Sequence, residues 1–91
     1  MSIKIKSLSQ DKSQLTITGT GLDANNIKVL IDGIISKIVY RNYRTLLVAI
    51  SEDIKIKSVT VQLHINDKKN IHYINAGQIH LTSFKIGQPI K

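Results

Sequence analysis

Three sets of side chains in this sequence have the types and spacing to do chemistry. The densest is Lys37, Tyr40, Arg41, Tyr43 and Arg44, which places two of the three tyrosines and both arginines within eight residues. Tyr and Arg are enriched at the energetic centres of protein interfaces. They also suit nucleic acid, where arginine meets phosphate and aromatic rings stack on bases. The second set is His64, His72 and His80, spaced by eight. If the chain turns about Lys68, His64 stands opposite His72 on a neighbouring strand, and two imidazoles so placed could chelate zinc. A structural zinc site needs four ligands, and His80 could help only if the last strand lay alongside. The histidines are therefore read as unrelated strand residues, and no metal and no cofactor are expected. The third set is the acids Asp11, Asp23, Asp32, Glu52, Asp53 and Asp67, all of which fall in expected turns or loops. Nothing pairs them for acid–base work. Gly19 and Gly21 have neither the third glycine nor the helix of a dinucleotide loop. Asp23, Asn25 and Asn26 are too few oxygens for calcium. No enzyme is expected.

The elements that must position these residues are strands. Apolar and polar residues alternate over Ile3–Leu8, Leu15–Gly19, Ile27–Ile31, Ile35–Tyr40 and Arg44–Ile50. The clearest alternation puts Val59, Val61, Leu63 and Ile65 on one face and Thr60, Gln62 and His64 on the other. Asn70–Asn75 is the returning strand, with Ile71 and Tyr73 in register with Ile65 and Leu63. Ala76-Gly77 breaks it, and Gln78–Ile86 is a last strand-like run before a tail at Gly87–Lys91. Ser51–Ser58 is either a short strand or a crossing loop. Asp32-Gly33 is a strong hairpin signal. No segment holds a helical period. Short strands with a turn every eight to twelve residues predict an all-β sandwich or barrel.

Composition narrows the class further. The chain has 91 residues, enough for one domain with one modest core. With 17 Ile, one Phe and no Trp, that core must be aliphatic. There is no cysteine, so no disulfide framework and no thiolate metal site. No signal peptide or membrane-length apolar run is visible. The net charge of +7 is spread as lysines alternating with apolar residues, the pattern of solvated strand faces and guarded edges. The scarcity of aromatics counts against a carbohydrate-binding sandwich. Ile3–Leu8 and Ile79–Phe84 share one pattern of apolar, polar and serine positions. Residues 1–91 are accordingly read as a single domain, with 79–91 either a final strand or the start of a following repeat.

Leu15-Thr16-Ile17-Thr18-Gly19-Thr20-Gly21-Leu22 resembles the "tItGsnF" segment of IPT/TIG domains, with Leu22 in place of the aromatic. Val29-Leu30-Ile31-Asp32-Gly33 resembles their "V.igG" strand and turn, and Ser58-Val59-Thr60-Val61 with Asn66-Asp67 their late hairpin. Two features depart from the family. No proline precedes the first strand, and Asp11-Lys12-Ser13 stands where a "GG" is common. The resemblance implies an immunoglobulin-like β-sandwich of seven to eight strands, burying Ile5, Leu15, Ile17, Val29, Ile31, Leu46, Val48, Val59, Val61, Leu63 and Ile71. It implies a non-catalytic module for protein–protein interaction or structural spacing in a larger multidomain protein, and it leans towards the cell surface. The partner is a protein or a neighbouring domain of the same chain, with no membrane insertion and no small-molecule substrate. The residues expected to make contact are Lys37, Tyr40, Arg41, Tyr43 and Arg44. A nucleic-acid-binding module using the same basic patch is the alternative.

Overall fold

The computed structural model describes residues 3–51, 54, 57–66 and 70–82. Eight strands follow in order: β1 (Lys4–Asp11), β2 (Gln14–Thr20), β3 (Ile27–Ile31), β4 (Ile34–Ser36), β5 (Ile38–Arg41), β6 (Thr45–Ala49), β7 (Ser58–Asn66) and β8 (Ile71–His80). They form two four-stranded sheets, β1-β2-β6-β5 and β4-β3-β7-β8, with every pairing antiparallel. Between the sheets lies an aliphatic core that includes Leu15, Ile17, Val29, Ile31, Leu46, Val48, Val61 and Leu63, all fully buried. The alternation of β2, β3, β6 and β7 places these side chains inward, as period-2 patterning requires.

The Asp32-Gly33 turn joins β3 to β4 with positive φ at both residues, 54° and 78°, the mirror-image geometry that matches strand twist. At the β1–β2 hairpin, Lys12 holds φ 56° where the family commonly has glycine. Ile54 is buried in the core, while residues 52–53 and 55–56 of the ambiguous 51–58 stretch lie outside the described residues. The expected loop at 67–69 and the run from 83 onward also lie outside them.

Four expectations are corrected. The single strand expected over Ile35–Tyr40 is two strands in different sheets: β4 pairs with β3, β5 pairs with β6, and the chain changes sheet at Lys37. On this side of the sandwich each sheet ends in a strand of only three or four residues, so the chain serves one edge and then the other. The break expected at Ala76-Gly77 is a bulge inside one continuous strand. Val61 faces Gly77 and Gln62 faces Asn75, which leaves Ala76 as the extra residue. The β7–β8 register therefore differs by one from that expected: Ile65 faces His72, His64 faces Tyr73 and Leu63 faces Ile74. Because strand faces alternate with period 2, that one-residue slip turns Ile71 outward, 56% exposed, and makes Ile74 its replacement at the core. Last, Ile5 is half-buried at the rim of the core rather than within it, since β1 is an edge strand.

Candidate interaction surface

The expected contact residues lie along β5 and the turn that leads into β6. In that turn Asn42 and Thr45 exchange backbone bonds, with the Asn42 N–H donating to the Thr45 carbonyl at 2.9 Å. The Asn42 side chain organises the loop. Its Oδ1 accepts the Arg44 N–H at 2.9 Å, an Asx-type turn, and its Nδ2 donates to the Tyr40 hydroxyl at 3.0 Å. The loop is also stapled to β2 and the turn that follows it: Gly19 N–H donates to Arg44 O at 3.0 Å and Leu22 N–H to Tyr43 O at 3.0 Å. Arg41 Nη1 donates to Ala24 O at 3.2 Å and ties the β2–β3 loop to the same corner. The glycine-marked segment and the Tyr/Arg segment are thus one structural unit.

Tyr40 and Tyr43 are about half exposed, 51% and 52%, and Arg41 and Arg44 are exposed beside them. Lys37 is exposed too, but it sits at the opposite end of β5, about 13 Å away at roughly 3.3 Å per residue. The structure thus gathers Tyr40, Arg41, Tyr43 and Arg44 at one end of the sandwich and holds Lys37 apart. Among the described residues the one ion pair is Lys57 Nζ–Asp32 Oδ2 at 3.2 Å, exposed and away from this surface. None of the surface's cations has a carboxylate partner there.

Val39 belongs to the surface and was not legible beforehand. Ile38 faces Val48 and Tyr40 faces Leu47, so Val39 is the extra residue of a bulge. Simple alternation would turn Tyr40 inward. The bulge re-aims it, so that consecutive Val39 and Tyr40 are both exposed and line an open depression with Ile38 and Arg41. Ile35 on β4, in the other sheet, is also exposed, at 66%. A strand-forming run such as Ile38-Val39-Tyr40 looks the same in sequence with or without a bulge.

The histidines are dispersed. His64 stacks edge-on against Tyr73, ring centroids 4.4 Å apart, on the outer face of the second sheet. His72 shares the inner side with Ile65, and His80 Nδ1 bonds the Ser58 hydroxyl at 3.1 Å. The slipped register separates the pair that had been expected to face each other.

The strand order fixes the type of sandwich. It places β1, β2, β6 and β5 in one sheet and β3, β7 and β8 in the other, which is the ABED and CFG arrangement of immunoglobulin-like sandwiches with β4 added beside the third strand. The family model of the IPT/TIG domain matches residues 1–82. The chain belongs to the IPT/TIG family. No curated protein and no solved structure matches it. IPT/TIG domains are immunoglobulin-like interaction and structural modules, typically without catalysis, and as a class they contact protein or DNA. The glycines that mark the family serve backbone geometry here. A side chain on Gly19 would run into the Lys4 carbonyl, because β1 crosses that position too closely for a Cβ.

Proposed function

We propose that this IPT/TIG domain is a non-catalytic protein-docking module of a larger multidomain protein, and that Tyr40, Arg41, Tyr43 and Arg44 form its contact surface, with Lys37 at its margin. One observation carries this reading: two half-exposed tyrosines and two arginines, with no carboxylate partner among the described residues, stand on a hairpin whose backbone is bonded to the first sheet. Rigid aromatics lose little entropy on binding, and exposed cations favour an acidic protein segment. The whole chain is one domain in this reading. Its support is Leu81, fully buried, and the Gln10 side chain that grips Thr82 through Thr82 N–H donating to Oε1 at 2.7 Å.

A photocrosslinking residue at Tyr43 of the full-length protein tests the proposal. Crosslinks are expected from position 43 and not from Ser9 on the far edge, and an Arg41→Ala, Arg44→Ala double variant should lose most of them. If that variant retains every natural partner, the contact surface lies elsewhere.

The net charge of +7 and the same exposed arginines favour a second reading, phosphate-backbone binding. Such binding must weaken steeply as salt rises. Absence of any anisotropy change with single-stranded or duplex DNA, or with RNA, at low salt removes it.

A further inference from the structure

The first and last strands meet on one side of the sandwich with no backbone ladder between them. β1 is an edge of the first sheet and β8 an edge of the second. Side chains make the junction. Leu8 packs beside Gly77. Further along β1, Gln10 reaches the backbone just past β8. Its Oε1 accepts the Thr82 N–H at 2.7 Å and the Thr82 hydroxyl at 3.2 Å. Its Nε2 donates to the Thr82 carbonyl at 3.0 Å and to the Lys12 carbonyl at 2.8 Å. One side-chain amide thus gives Thr82 a donor and an acceptor at once, the exchange that a neighbouring strand makes across an antiparallel ladder. Leu81, next to it, is fully buried, and its N–H donates to the Lys57 carbonyl at 3.0 Å.

These contacts sit where tension between the ends of the chain must pass. β1 begins beside Thr20, at the pole where the Leu22 N–H meets the Tyr43 carbonyl. Thr82 lies at the other pole, against the β1–β2 turn. Leu8 comes before Gln10 as Gly77 comes before Thr82, so β1 and β8 run parallel. A pull on both ends draws β1 toward one pole and β8 toward the other. The junction is then sheared, and the bonds between Gln10 and Thr82 are strained together rather than one after another. Thr82 follows β8, so a pull from the C-terminal side reaches Gln10 before it reaches the β7–β8 ladder.

We propose that Gln10 is a clasp that carries tension across this domain, passing a pull at Thr82 to the first strand and so to the opposite sheet. The role is separate from the contact surface at the other pole and stands whether or not a partner docks there. At rest the clasp is worth little, because its bonds lie at the surface and water replaces them on opening. Forced unfolding is governed by rate, and bonds placed in the path of the load raise its barrier even where they add little to equilibrium stability.

Optical-tweezers unfolding of the full chain, with handles at its two ends, tests this. Gln10→Ala should unfold on the order of tenfold faster at a given force, while its urea midpoint moves little. Gln10→Glu keeps the size and an acceptor but lacks the Nε2 donor, and it too should unfold faster. Gln14→Ala, at an exposed glutamine of β2, should not. Moving the second handle to Gln78→Cys, in a chain with no cysteine of its own, takes Thr82 out of the path. From that attachment Gln10→Ala should make no difference. Unfolding of Gln10→Ala that is no faster under end-to-end load, or equally accelerated from both attachments, would overturn the proposal. If Gln10→Ala folds poorly, Gln10 itself still decides the matter: with it in place, pulling from position 78 must unfold the domain sooner than pulling from the ends, and equal lifetimes sink the idea.

Discussion

At the scale of single residues, the positions that most constrain this domain are those where backbone meets backbone. Gly19 lies under the Lys4 carbonyl, and a methyl group there forces β1 away from β2. The partner atom is main chain and has no side-chain rotamer to give. Gly19→Ala is therefore expected to cost about 3 kcal/mol or more, against about 1 kcal/mol for an ordinary substitution. Urea denaturation followed by circular dichroism measures it, and a loss under 1 kcal/mol would mean that β1 can shift at little cost. Tyr40 and Tyr43 are the opposite case. Their rings are half exposed, so exchanging them should move binding far more than stability.

At the scale of elements, bulges shape the molecule. They occur in β1, β5 and β8, which are three of the four edge strands, and the fourth is only three residues long. Each bulge reverses which parity of residue faces the core. In β1 the inward residues pass from Ile5 to Leu8, and in β8 from Ile74 to Ile79. The β7–β8 register can be tested with two truncations of the same kind. Leu63→Ala removes a fully buried side chain and should cost about 2–5 kcal/mol, whereas Ile71→Ala, at 56% exposure, should cost under about 0.5 kcal/mol. Equal losses measured under dilute conditions would restore the unslipped register, with Ile71 in the core.

At the scale of the whole molecule, charge and topology set the behaviour. Thirteen basic residues face six acidic ones, and one exposed ion pair is found among the described residues. Self-repulsion therefore opposes compactness, and screening relieves it. The melting temperature should rise by a few degrees from low to physiological sodium chloride, as scanning calorimetry would register. A fall on adding salt would mean that favourable ion pairs dominate. That pair itself contributes little, since both partners are well exposed.

The fold class, the central strands and the family were legible in the residues themselves. Leu15, Ile17, Val59, Val61 and Leu63 alternate without interruption, and period 2 alone assigns their faces. The Asp32-Gly33 turn was legible for the same kind of reason, since its geometry is a local property of the two residues. The clustering of Tyr40, Arg41, Tyr43 and Arg44 on one hairpin was also local. The edges were not legible. Whether Ile35–Tyr40 is one strand or two, whether Tyr40 faces out, and whether Ile71 or Ile74 enters the core all depend on single unpaired residues at 39 and 76. A bulge forms where a partner strand several residues to tens of residues away pulls the ladder out of step. Local alternation therefore determined the interior strands, and only the pairing of each edge strand with its neighbour decided which side chains the edges present.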